Sequence, residues 1–391
     1  MEIQLLETEE DFEKIRTEWD DLLENSNNNS VFLTWEWLYN WWIHFKGDKK
    51  LFILLVKSES AEKIVGIAPF YIQKSVLFSF SKVKKIKFLG SEQVASDFLD
   101  FIAHAGLEDE ILSAIYGYLD ENNHLWDIIE ITDIEEDSAS LDFFKRKVNG
   151  MYKIIESDAQ KCPYMTLPGS YDLLLQSLSP NMRENLRRRT KKIENKNGIH
   201  FSIHKDEAIN ESVDNLFILH NNRFKSKEKS DISKSAFNGV RIKDFHYDIA
   251  SHFMKRDWLK LYFLNFDSEA IACLYAFKYK NRLFYYQSGF NPDWNDWSLG
   301  TVLFGYAIKD SINDGLKEFH YLRGNETYKS RWTNKARTTR NILLVKKGFI
   351  TYFYILAVYG KLNLKRILIG LSKNKLLKIS KKSRNKDKPY V

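Results

Sequence analysis

The run Ser298-Leu299-Gly300-Thr301 places two hydroxyls around a glycine where a helix should begin. A helix start carries unpaired amides and the positive end of the dipole, so such a run can seat a phosphate-like anion. Simple capping by the serine is the alternative. Groups that can move a proton come next. His246, Glu326 and His220 are the candidate bases, in that order. Imidazole titrates near neutrality, whereas a carboxylate must be pushed up by burial. Tyr328 can supply a proton, and Lys329 can pair with an acid or a phosphate; Glu326 and Lys329 can equally pair with each other around one turn. Covalent catalysis finds no support, because no G-x-S-x-G elbow occurs and Cys162 and Cys273 lack a signature context. No HxxH or CxxC spacing occurs either, so no metal is expected.

The elements that must position these groups are legible around them. Leu283 to Phe290 reads as an aromatic-rich strand, stopped by Asn291-Pro292. Ser298 sits at a helix N-cap position. Val302, Leu303, Tyr306, Ala307 and Ile308 then recur at helical spacing, and Gly315 ends the helix. Phe319 to Leu322 reads as a second strand. Strand, helix and strand in that order predict two parallel strands with the helix across one face.

Tyr-Gln-Ser-Gly-Phe-Asn-Pro (286–292), Trp294, Ser298, Gly300, Leu322-Arg323-Gly324-Asn325-Glu326, Tyr328-Lys329 and Trp332 together resemble the CelD-type branch of the GNAT acyltransferases, itself similar to the FemAB aminoacyl transferases. The resemblance covers about residues 170–345 well and the first half more loosely. It departs at Phe319-His320-Tyr321, where the family usually has an acid before its LRG-like turn. It implies an α/β (α+β) fold of two tandem GNAT-like units, each a mixed, mostly antiparallel sheet with helices on both faces. The expected boundaries are 1–165, 166–346 and a tail, 347–391. The implied activity is acyl-CoA-dependent N-acyl transfer, with acetyl-CoA or a longer acyl-CoA as donor. The implied acceptor is an amino group on a sugar or surface-polysaccharide precursor. Acyl transfer from a thioester needs an acceptor that loses a proton, and donors for a tetrahedral oxyanion. His246, Glu326 and Tyr328 are therefore the expected catalytic residues. Gln287 and Ser288 are expected beside the thioester, and Ser298, Gly300 and Thr301 at the pyrophosphate. Asp97, in Ser96-Asp97-Phe98-Leu99-Asp100, and Arg223 and Lys329 are expected on the substrate. Asp97 and Asp100 read equally as solvated acids in a turn. Two rival readings stay open: a FemAB-like transferase using aminoacyl-tRNA, and a non-catalytic glycan-binding or polysaccharide-synthesis partner.

Composition bounds these readings. The 391 residues are 44% hydrophobic and 15% aromatic with only 6 prolines, which suits packed domains rather than disorder. Two cysteines make no disulfide framework. The acidic start MEIQLLETEEDFEK does not look like an export signal, so a cytoplasmic location is expected, with contact at the inner membrane face through the tail. Residues 361–391 hold eleven Lys or Arg and one acid, so the tail carries +10 against a net +7 and leaves −3 for the body. Its leucines and lysines alternate, as in a basic amphipathic segment on anionic lipid or in a helix packed on the body. The apolar run 349–359 is too short to span a bilayer. The helix from Ser179-Pro180 carries Arg183, Arg187, Arg188, Arg189, Lys191 and Lys192, a solvated face or a contact for phosphates. Trp37, Leu38, Trp41 and Trp42 share one helical face and read as core, with sugar or base stacking as the alternative.

Overall fold

The computed structural model describes residues 1–58, 63–78, 81–148, 152–204, 209–225, 237, 239–324 and 326–348, with the backbone alone at 77, 78, 81 and 223–225. The apolar run at 349–359, the basic tail and most of the polar loop at 225–235 lie outside the described residues.

The first half runs β1 (Glu2–Leu6), α1 (Glu9–Lys14), α2 (Arg16–Glu24), α3 (Trp35–Phe45), β2 (Lys50–Lys57), β3 (Ile64–Phe78), β4 (Ser81–Phe88), β5 (Ile102–Ala103), α4 (Glu108–Glu121), β6 (Ile128–Glu135), α5 (Ala139–Lys147) and β7 (Tyr152–Thr166). The second runs α6 (Tyr171–Ser177), α7 (Pro180–Glu194), β8 (Ile199–His204), α8 (Ile209–Lys225), α9 (Val240–Lys255), β9 (Leu259–Phe266), β10 (Glu269–Tyr279), β11 (Arg282–Phe290), α10 (Leu299–Asn313), β12 (Glu318–His320) and β13 (Ala336–Lys346).

One sheet unites them, in the order β1-β2-β3-β4-β6-β13-β7-β12-β11-β10-β9-β8, with β5 on β3. The order is symmetric about its middle, and the halves exchange their closing strands. β13 pairs with β6, while β7 pairs with β12, and β7 and β13 run antiparallel against each other from Ala336↔Pro163 to Lys346↔Tyr152. β7 is thus a long strand whose partners belong to the other half. Each half contains one parallel pair, β4 with β6 and β11 with β12; the other pairings are antiparallel.

Caps fall where side chains can supply them. Thr34 accepts from the Trp37 amide, Ser138 from the Ser140 amide and Ser179 from the Met182 amide, the last ahead of Pro180. Trp37, Leu38, Trp41 and Trp42 are all buried. Trp37 stands edge-on to Phe245 and Phe277, so α3 of the first half packs on α9 and β10 of the second. Arg256, the residue after α9, bonds the buried Glu36 of α3 at 2.8 Å, and His44 meets Asp248 of α9 at 2.6 Å. The opposite face of the second half is covered by α6, α7 and α10 over Leu264, Leu274, Leu283 and Phe319.

Candidate functional site

β11 and β12 pair over three rungs only, Arg282↔Glu318, Leu283↔Phe319 and Phe284↔His320. Beyond them β11 stays with β10 as far as Phe290↔Ala272. The chain after β12 stays with β7, where the Tyr321 amide donates to Pro163 and the Gly324 amide to Lys161. Two strands held by different neighbours must part, and the β12 side of Tyr285–Phe290 is left without a ladder. A bulge sharpens the parting. Tyr285 faces Ala276 and Gln287 faces Tyr275, so Tyr286 is the extra residue. A bulge bends its strand and redirects a side chain. Gly289 lets α8 cross close by, since a Cβ there would meet the His220 nitrogen at 2.3 Å.

At the open end of β11 lies a cavity of about 220 Å³. Ser288 and Phe290 bring β11 to its wall, and Ser298, Leu299, Gly300 and Thr301 bring the start of α10. Met182 of α7, Phe304, and Tyr328, Arg331 and Trp332 of the following turn complete it, with Trp294 and Asn295 at the loop. Ser298 occupies the N-cap position but does not cap. Its backbone is left-handed (φ 55, ψ 41) and its side chain makes no capping bond, because it closes the 3₁₀ turn Pro292–Trp297 and opens α10 at once. The amides of Leu299 and Gly300 have no intrahelical acceptor available. Nothing lies within 4 Å of where a Gly300 Cβ would stand. The helix start is bare, and Arg331 adds a guanidinium to the same wall.

The structure brings Ser288, Ser298, Gly300, Thr301 and Tyr328 together around this cavity. Gln287 is beside it, with its side-chain oxygen accepting from the Ser288 amide at 3.0 Å. The other expected residues stand elsewhere. His246 is wholly buried on α9, ringed by Phe237, Phe245, Tyr275 and Tyr286, and both ring nitrogens lack a hydrogen-bond partner. Burial pushes its pKa down to about 3, so it is neutral, and it does not line the cavity. His220 is also buried, on α8. Glu326 is half-exposed and pairs with Lys329 at 3.0 Å. Lys329 is 3% exposed and donates to the carbonyls of Leu322 and Arg323 (3.3 and 2.6 Å), holding the turn between β12 and Tyr328. Asp97 is fully buried. It accepts from the Arg323 amide (2.8 Å) and Nε (2.6 Å), so it fastens the first half to the Leu322–Arg323 turn of the second. Arg323 also reaches Asp133 at 3.2 Å; burial lifts that carboxyl to about 6. The Arg223 side chain lies outside the described residues.

Met182, Phe304 and Arg331 of the cavity wall were not singled out from sequence, nor was the bulge at Tyr286. Three consecutive aromatics at 284–286 hide the bulge, since each fits either face of a strand buried on both sides. Met182 and Phe304 sit at ordinary core spacing on their helices. Among the described residues no group of three His, Cys, Asp or Glu could hold a metal, and no helix is long and apolar enough to cross a membrane.

Residues 180–330, which contain the parting strands and every cavity-wall residue except Arg331 and Trp332, match the family model described as an acetyltransferase (GNAT) domain. The second half carries a GNAT domain. The chemistry of this domain class is acyl transfer. No curated protein sequence matches the chain. Among solved structures, FemX aligns with a TM-score of 0.60 at 11% identity, over 91% of this chain and 99% of its own. The C-terminal domain (DUF2156) of a putative lysylphosphatidylglycerol synthetase from Agrobacterium fabrum aligns at 0.51 and 12%, over 90% and 97%. L-PGS from Bacillus licheniformis aligns at 0.51 and 11%, over 85% and 92%. At these identities the likeness is one of fold. It extends over both halves, so the GNAT domain sits in a mixed α/β architecture common to these proteins.

Proposed function

We propose that this chain transfers an acyl group from acyl-CoA to an amino group, on a sugar or surface-polysaccharide precursor of the kind the CelD-type resemblance implies. The observation that carries the reading is the parting of β11 from β12 beside the bare start of α10. The amides of Leu299 and Gly300, with Thr301 and Arg331, hold the donor's pyrophosphate. The thioester arm lies along the unladdered edge of Tyr285–Ser288. The acceptor nitrogen attacks the thioester carbonyl, the C–N bond forms and the C–S bond breaks. Edge amides of β11 receive the transient oxyanion. The amine loses its proton to solvent, and Tyr328 gives one to the leaving thiolate. We place the reaction at the cytoplasmic side of the membrane, with the basic tail near lipid.

A second reading is favoured by one feature. Arg183, Arg187, Arg188 and Lys191 line a shallow surface groove on α7, the helix that also gives Met182 to the cavity. Such a face suits the phosphates of an aminoacyl-tRNA donor. Isothermal titration with acetyl-CoA, longer acyl-CoAs and aminoacyl-tRNA separates the two. Saturable acyl-CoA binding supports the first, binding of tRNA alone supports the second, and binding of neither refutes both.

A further inference from the structure

β3 and β4 form a ribbon that outreaches its neighbours. β2 leaves β3 at Ile72, opposite Lys50, and β6 pairs with β4 at Lys85–Lys87. The β3–β4 pairing runs on through Lys74↔Lys84 and Val76↔Lys82. Cross-strand partners share a face, and successive residues alternate between faces. At its base one face carries Phe70, Ile86 and Phe88 into the core. Further out the same face carries Lys74, Val76, Lys82 and Lys84, all exposed, Val76 by 68%. The opposite face buries Val83 against Ile128, Ile155 and Val345, which holds the ribbon to the body.

From Ile64 to Ser91 the sequence has five lysines and no acid. Two of them are answered, since Lys85 and Lys87 lie 3.5 and 3.4 Å from Glu130. Among the described residues no ion pair reaches the ammonium of Lys74, Lys82 or Lys84. Lys84 donates to the His124 carbonyl at 3.0 Å. Lys74 and Lys84 stand directly opposite, where like charges destabilise a strand pair. An anion from outside offsets that repulsion. The tail leaves from the same corner. The Lys84 amide bonds the Asp127 carboxylate at 2.8 Å, the Lys346 amide bonds the Asp127 carbonyl at 3.3 Å, and the Lys346 ammonium bonds the Asn123 carbonyl. The described chain ends just beyond, at Gly348, and the sequence continues into the strongly basic residues 361–391.

Charge and apolar surface together choose the partner. A nucleic acid would meet the lysines and leave Val76 bare. An anionic bilayer takes both, with phosphates at its surface and an apolar boundary beneath them. The four residues that follow Val76 in sequence, Leu-Phe-Ser-Phe, have the same leaning. The tail does not neutralise this face, being itself basic. We propose that the β3–β4 ribbon docks on a bilayer bearing anionic lipid, with Lys74, Lys82 and Lys84 at the headgroup phosphates and Val76 below them. The docking is independent of the acyl-transfer reading and adds a folded contact to that of the tail.

A label on the full chain tests this. Cys162 and Cys273 are both buried, so Val76→Cys offers one exposed thiol to an environment-sensitive fluorophore. Vesicles of phosphatidylcholine and phosphatidylglycerol in equal parts should shift its emission to the blue and shield it from acrylamide. Vesicles of phosphatidylcholine alone should do neither. The same label at Leu173→Cys, 51% exposed on α6, should respond to neither vesicle. Without a label, Lys74→Gln combined with Lys82→Gln should weaken binding to the mixed vesicles about thirtyfold, the worth of two lysines near an anionic surface. Its unfolding midpoint should equal or exceed that of wild type, because a like-charge pair across the strands is gone. A label at position 76 that ignores the mixed vesicles while the chain sediments with them would leave lipid contact to the tail and overturn the proposal. Equal responses at 76 and 173, or unchanged affinity in the double variant, would overturn it as well. A response at 76 to tRNA and not to vesicles would make the ribbon a nucleic-acid surface instead.

Discussion

Asp97→Ala should unfold this protein more easily without touching the donor site. The carboxylate is fully buried and takes two hydrogen bonds from Arg323, one from the amide at 2.8 Å and one from Nε at 2.6 Å. Removing one member of a buried pair costs about 3–5 kcal/mol, because the other charge is left uncompensated. Two features reduce that here. The Arg323 side chain keeps 28% exposure, and Asp133 at 3.2 Å and the Ser96 carbonyl at 2.6 Å remain. The expected loss is therefore about 3 kcal/mol, a large share of a typical domain's 5–15 kcal/mol. Equilibrium urea unfolding should show a lower midpoint with an unchanged slope. The double substitution Asp97→Leu with Arg323→Met should recover most of the loss, since replacing both charges removes the orphan. An unchanged midpoint in Asp97→Ala, with a selective rise in acceptor KM, would refute the reasoning and make Asp97 a substrate ligand.

Gly300→Ala should fold as well as wild type or up to about 1 kcal/mol better, since a Cβ there meets nothing, yet weaken acyl-CoA binding several-fold by standing where the phosphate approaches; thermal melts and titration check the two halves of this statement. Gly289→Ala should destabilise by about 1–3 kcal/mol, because its Cβ would lie 2.3 Å from the His220 nitrogen and α8 must shift; a melt equal to wild type would contradict the close crossing. His246, at about 3 folded against 6.5 unfolded, is bound to fewer protons in the fold than out of it. Its contribution is fully present above pH 6.5 and is lost as pH falls, about 2 kcal/mol by pH 5, so His246→Phe should flatten the acid limb of the stability profile.

Local pattern carried the second half well. The strand before α10, the stop at Asn291-Pro292, the left-handed Gly315 after the helix and the parallel return strand all stand where period and punctuation put them. The tryptophan face of α3 is core for the reason its spacing gave. What pattern could not supply was partnership across the chain. Nothing local in 152–166 or 336–346 says that each strand closes the other half's sheet. For the same reason Asp97 looked available, although its partner lies 226 positions away. His246 had the right chemistry in sequence, but rings from α3, α8, β10 and β11, with Phe237, close around it and leave it a neutral ring among aromatics. Ser298 had the right residue type for a cap, yet the turn before it imposes a left-handed backbone, which takes the hydroxyl out of capping reach.

Hydrogen exchange on the full chain, with and without saturating acetyl-CoA, tests the central claim most directly. The account predicts new protection at the amides of 285–290 and 299–301, where the strand edge and the helix start receive the donor. Bound acetyl-CoA with no change in those two segments, and protection in another part of the sheet, would contradict it.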